Sequence, residues 1–218
     1  MASIQRAHAL CSLLGSWSLL AVSAAAAASG ANAPNEYLDE ETGATVFFVS
    51  RPLVFGRETA PFHGINGKVV RAWPDDPHPP DMNLAPRDYV SLAAAVVDRS
   101  GKYTYVLIGY FWLVGTPQPS GNVCLDHEQL VLELGDRRIK LAPFGGSARD
   151  AGISEPILRP AIGNMESTVY AIDLATLGLI AESAHPVLYC GADPARLRYE
   201  LWEDRLPALR ELVRNVSD

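Results

Sequence analysis

Apolar and polar positions along this chain fall into three regimes. Ala9 to Val22 is an almost unbroken apolar run. Between Ala44 and Leu141 the apolar residues come in short β-branched and aromatic runs set apart by turn residues, the pattern of strands. After Ser167 the spacing lengthens in two places to the period of a helix.

Ala44 to Ser50 and Leu53 to Phe55 predict one strand interrupted at Arg51-Pro52. Proline lacks a ladder donor, so this is expected to be an edge strand or a bend. YVSLAAAVV from Tyr89, a DRSGK turn and YTYVLIGYFWLV to Val114 predict a hairpin. Its second arm is apolar on both faces, which suits a central strand covered on both sides. Gln129 to Leu134 and Arg137 to Leu141, about Gly135-Asp136, predict a second hairpin with one wet face. Ser167 to Ile172, Val187 to Cys190 and Leu197 to Trp202 read as further strands. Asp173 is placed to cap a helix over LATLGLIAES, which His185-Pro186 stops. Asp204 is placed to cap RLPALRELVRN, with Pro207 in its first turn and Leu206, Leu209, Leu212 and Val213 on the buried face. The fold class expected is α+β: an antiparallel β-rich, sandwich-like single domain with two short helices in its C-terminal half.

Two stretches fit neither period. Residues 34–43, PNEYLDEETG, read as an acidic lead-in. Residues 56–87 carry prolines at 61, 74, 77, 79, 80 and 86 and read as a long proline-rich loop, with a short strand at Lys68 to Trp73. Structureless loops beyond about 15 residues are uncommon in compact domains, which marks this one for function or disorder.

The front of the chain bounds where the protein works. Arg6, the apolar run and a tract of Ala, Ser and Gly follow the order of a secretory signal peptide, expected over residues 1–33. Ala9 to Ala28 reaches the roughly 20 residues of a membrane span. Its alanine half is only weakly apolar and no basic cluster follows, so a cleaved leader is expected instead of an anchor. Cys11 lies inside the apolar run behind Leu10, which does not suit lipid attachment. The alanine-rich style points to a bacterium of high genomic GC, hence to a periplasmic or secreted domain over residues 34–218. That domain holds 17 basic and 25 acidic residues with no basic block, which argues against nucleic acid and anionic membrane as partners. No membrane span is expected after the leader is removed.

Candidate chemistry concentrates in VCLDHEQ, residues 123–129, where Cys124, Asp126, His127 and Glu128 crowd together. The exported part keeps two cysteines, Cys124 and Cys190, and two cysteines in an oxidising compartment usually pair. A zinc site from Cys124, His127, Cys190 and His185 or Asp193 is the sharper alternative. Structural zinc prefers two short ligand pairs, and YCGAD supplies a poor second one. Free thiols are the third possibility. HEQLV opens like the H-E-x-x-H zinc helix, but Val131 stands where the second histidine belongs. In WPDDPHPPDMN, Asp75, Asp76, His78 and Asp81 offer oxygen and imidazole ligands, without the spacing of a calcium loop. These four and His127 are the ligand or metal candidates. PFGGSARDAG, residues 143–152, lacks every phosphate-loop and nucleophile-turn pattern and reads as an ordinary connection. Tyr103, Tyr105, Tyr110, Phe111 and Trp112 alternate about one strand; most should be core, and those facing outward can line a binding face.

The segments YLDEETGATV, PLVF, RDYVSLAAAVVDRSGKYTYVLIGYFW and YELWEDRLPALREL resemble a set of small exported proteobacterial proteins without an assigned activity. The resemblance covers about half of the exported chain. It implies export and a continuous fold, and it transfers no catalytic residue. The leading expectation is therefore a non-catalytic binding module of the bacterial envelope, without cofactor, meeting another envelope protein or a small ligand. The competing one is a hydrolase or thiol enzyme whose Cys124, His127 and His185 meet only in the fold.

Overall fold

The computed structural model describes residues 33–58, 87–114, 124, 127–158, 165–191 and 196–217. Residues 1–32 of the expected leader and residues 59–86, with the strand expected at Lys68 to Trp73, lie outside the described residues; of the loop expected over 56–87, residues 56–58 and 87 are strand instead. The elements are β1 (Asn35–Asp39), β2 (Ala44–Glu58), β3 (Arg87–Arg99), β4 (Lys102–Val114), β5 (Leu130–Leu134), β6 (Arg137–Lys140), β7 (Ala142–Pro143), β8 (Glu166–Ala171), α1 (Leu174–Ala181), β9 (Pro186–Cys190), β10 (Leu197–Asp204) and α2 (Leu206–Ser217).

All described pairings are antiparallel and join the strands into one sheet in the order β6-β5-β9-β10-β2-β3-β4-β8-β7, with β1 beside β2. The two ends of that path, β6 and β7, are one stretch of chain separated by Leu141 alone. The sheet is therefore nearly barrel-shaped, with two short helices, and is α+β in class. Among the described residues, no helix is long and apolar enough to cross a membrane.

The β3–β4 hairpin is the fold's spine. Arg99 pairs with Lys102 across a two-residue turn whose Ser100 and Gly101 have φ of 56° and 83°. A turn with both central residues at positive φ matches the twist of its flanking strands. Gly101 N–H also donates to Asp98 Oδ1 at 2.7 Å. As the double-sided pattern predicts, β4 lies between β3 and β8 and is buried on both faces. Leu107 and Phe111 enter the larger core, while Val106, Ile108 and Tyr110 enter the smaller.

The larger core joins Phe55, Leu92, Leu132, Leu188 and Tyr199 to Leu177 and Ile180 of α1 and Leu209 and Leu212 of α2. Each such apolar side chain contributes roughly 1.5–3 kcal/mol by burial. Asp173 caps α1 as expected, accepting from Thr176 N–H at 2.6 Å. Asp204 reaches Leu206 N–H at 3.4 Å where α2 begins. The Arg51-Pro52 interruption is a register shift between Val49 and Leu53, so β2 bends. It is not an edge: β3 pairs along one side, β1 and β10 along the other. Pro52 is buried and its carbonyl accepts from Arg205 N–H at 2.8 Å, anchoring the approach to α2.

The acidic lead-in is more than a tail, since Asn35–Asp39 forms β1. Asp39 is buried, and its carboxylate accepts from Thr42 N–H at 2.9 Å, Ser154 N–H at 2.6 Å and Ser154 Oγ–H at 2.9 Å. Burial pushes this acid up, but the Ser154 and Thr42 hydrogen bonds outweigh it and hold it at about 2. Asp39 thus pins the segment from Phe144 to Leu158 over the outer face of the sheet. There Ala151 and Ile153 seal the second core against Ala93, Ala95 and Val97.

Candidate functional site

Strand parity decides what each polar residue near the opening of the sheet faces. On β3, Val90, Leu92 and Ala94 point into the larger core, and Asp88 shares their parity. Asp88 pairs with Arg57 across β2–β3 and is only 4 % exposed. Its Oδ2 accepts from Cys124 N–H at 3.0 Å and from the hydroxyl of Tyr199 on β10. The Arg57 guanidinium stands 5.9 Å from the Tyr199 ring centroid, in cation–π range. Burial pushes the Asp88 carboxyl up. The Tyr199 hydroxyl, the Cys124 N–H and the Arg57 and His127 charges pull against it without prevailing. Burial and the neighbouring Asp88 push Tyr199 up in turn.

Cys124 and Cys190 stand at disulfide distance with Cα atoms 5.7 Å apart, as the cysteine count predicts. Both are buried. The bond ties the approach to β5 to the end of β9, two strands already paired through Leu130 and Cys190. His127 packs flat on Phe111, with ring centroids 3.7 Å apart and planes 8° from parallel. Its Nε2 lies 2.8 Å from the Cys124 carbonyl, and its Nδ1 is 3.7 Å from Glu166 Oε2. The His127 carbonyl accepts from the Tyr170 hydroxyl at 2.7 Å, and the Gln129 carbonyl from Gly191 N–H at 3.1 Å. Cys124 and residues 127–129 are thus fastened to β3, β4, β8 and the end of β9. The side chains of Asp88, Tyr199, His127 and Tyr170 are each bonded within the cluster, which is the chemistry of a fastening.

Asp75, Asp76, His78 and Asp81 lie outside the described residues. His185 precedes β9 by one residue, at the end of that strand opposite Cys190. Five residues at about 3.3 Å each separate the two by roughly 16 Å. Among the described residues, no three His, Cys, Asp or Glu side chains are grouped to hold a metal ion. Asp88, Arg57 and Tyr199 belong to no sequence motif; their one legible signal is that Asp88 breaks an apolar inward row.

The outer face carries a second feature. Tyr89 on β3 opposes Trp112 on β4, and their rings stack 5.4 Å apart with planes 14° from parallel. Trp202, the extra residue where β10 shifts register against β2, meets Tyr89 edge-on at 6.0 Å and is 43 % exposed. Gly56 lies beneath. A Cβ there would stand 3.1 Å from the Tyr89 ring and 3.7 Å from Trp202, so glycine lets both rings settle over β2. The three aromatics form a row across β4, β3, β2 and β10, beyond the part of the face covered by Phe144–Leu158.

Compared with family models, curated proteins and solved structures, the chain matches none.

Proposed function

We infer that this chain is a non-catalytic interaction module of the bacterial envelope, exported to the periplasm or beyond, and that it meets another envelope protein through the aromatic row. The observation that carries this reading is the contrast between the two faces. Inside, the polar groups around Cys124 are spent on one another. Outside, Trp112, Tyr89 and Trp202 form an aromatic strip with Trp202 43 % exposed, and exposed tryptophan and tyrosine are the residues that most often anchor protein contacts. The Cys124–Cys190 pair supports export, because such bonds persist in oxidising compartments. Part of the same reading is a near-barrel in place of a sandwich, since Leu141 alone separates the strands at the two ends of the sheet path. Hydrolase or thiol chemistry from Cys124, His127 and His185 is the weaker alternative, with the sulfurs at bonding distance and His185 at the far end of β9.

The test is crosslinking capture of the tagged full chain expressed with its leader. Wild type is compared with Trp202→Ser and with Tyr103→Ser, a control on the other end of β4 that is 46 % exposed. The expected result is a protein recovered by wild type and by Tyr103→Ser and lost with Trp202→Ser, with the tagged protein found in the envelope fraction. Equal recovery by all three, or retention in the cytoplasm, overturns the proposal.

A further inference from the structure

The β5–β6 turn and the end of α1 enclose an open pocket of about 380 Å3, lined chiefly by Leu134, Arg137, Leu179, Glu182, Ser183 and His185. Small-molecule sites span roughly 300–1,000 Å3, and this one falls within that range. It shares no strand or helix with the aromatic row, so it stands or falls separately from the function proposed above.

Its lining is amphipathic. Leu134 and Leu179 supply an apolar wall, and Leu179 is 40 % exposed although its helix neighbours Leu177 and Ile180 are fully buried. A lone exposed leucine needs no explanation. Here it stands beside a guanidinium, an imidazole and a hydroxyl that the fold leaves unused. Among the described residues, the Arg137, Ser183 and His185 side chains make no hydrogen bond or ion pair.

The pocket's lining carboxylate and the carbonyls at the end of α1 have partners within the fold. Glu182 has Arg210 Nε at 3.7 Å. The same Nε–H donates to the Ala181 carbonyl at 3.1 Å, while Glu182 and Ser183 N–H groups close onto the Gly178 and Ile180 carbonyls. With these terminal carbonyls satisfied, the negative end of α1 is muted. The donors left over are cationic or neutral, which favours an anion, and the leucines favour one with an apolar body.

We propose that this pocket binds a small monocarboxylate with a short aliphatic tail. The guanidinium fork of Arg137 donates to the carboxylate, an N–H of His185 and the Ser183 hydroxyl add to it, and the tail packs on Leu134 and Leu179.

Amide 1H–15N titration of the oxidised exported protein with 4-methylpentanoate tests this. Saturable shifts confined to residues 134–137 and 179–185 are expected. Arg137→Gln should weaken binding about tenfold, as loss of a charge-assisted bond implies. The neutral 4-methylpentanamide should bind comparably more weakly than the acid. Leu179→Ser should lower affinity for 4-methylpentanoate and leave weak acetate binding unchanged. Both substituted positions are exposed, and a dispersed amide spectrum verifies that each variant folds. Shifts that fail to saturate or map elsewhere, an Arg137→Gln variant that binds as wild type does, an amide as tight as the acid, or equal losses for both acids with Leu179→Ser each overturn the proposal.

Discussion

Replacing Asp88 with alanine removes the acceptor shared by the Cys124 N–H and the Tyr199 hydroxyl, and leaves both donors buried. A buried donor stripped of its partner costs about 1–3 kcal/mol, so the two together should destabilise the protein by about 3 kcal/mol. Asp88→Asn keeps an acceptor oxygen in reach of both donors and relieves the cost of burying a charge; it also loses the attraction of Arg57. These opposed effects should leave it within about 1 kcal/mol of wild type. Urea unfolding of the oxidised protein reads both variants as shifts in midpoint at constant slope. The pH dependence supplies an independent sign. Because burial holds the Asp88 carboxyl above its ordinary value, the native state keeps this proton when the unfolded chain has lost it. Its contribution to stability therefore falls as pH rises from the ordinary carboxylate value to the raised one, and is flat above. Wild type minus Asp88→Asn should show that decline. Equal costs for alanine and asparagine, or a difference that grows with pH, would refute the view of Asp88 as a buried acceptor that burial keeps protonated longer.

Asp39 should behave with the opposite sign. Its folded value of about 2 lies below the ordinary 3.8, so its stabilisation is complete above 3.8 and is lost as pH falls toward 2. Asp39→Asn should flatten that acid limb and cost about 2 kcal/mol at neutral pH, measured by the same urea series. Breaking the Cys124–Cys190 bond with a paired serine variant opens a loop with a separation of 66 residues, worth roughly 4 kcal/mol in the chain-entropy picture. A shift much under half of that in the urea midpoint would mean that Asp88, Tyr170 and the His127–Phe111 stack hold the segment without it.

Features written in consecutive residues are legible in the sequence. The Ser100-Gly101 turn, the double-sided apolar pattern of β4 and the Asp173 cap are local, and each appears in the fold. The cysteine pairing follows from the count and from the compartment expected of the leader pattern. What was hidden depends on distance along the chain. Asp88, Arg57 and Tyr199 sit on three strands and meet only because β3 and β10 both flank β2. Trp202 joins Tyr89 through a register shift that no periodicity marks. Asn35–Asp39 reads as an acidic lead-in because its alternation is inverted: Leu38 points outward and is exposed, while the acid Asp39 is buried. The glycine-rich stretch from Pro143 read as a plain connection. Its ends are simple, but the Asp39–Ser154 contact turns it into the lid of the second core.

The continuity of β6 and β7 through Leu141 carries one more consequence. A sheet whose terminal strands are one short piece of backbone offers little ladder for a foreign strand to extend, which shortens the commonest nucleus of edge-to-edge aggregation. Among the described residues the open edges are short: β1 pairs only with β2, β6 only with β5 and β7 only with β8, and β6 carries Arg137, Arg138 and Lys140. Among the described residues, backbone pairing has only these short, charged edges to use, which favours contact through side chains.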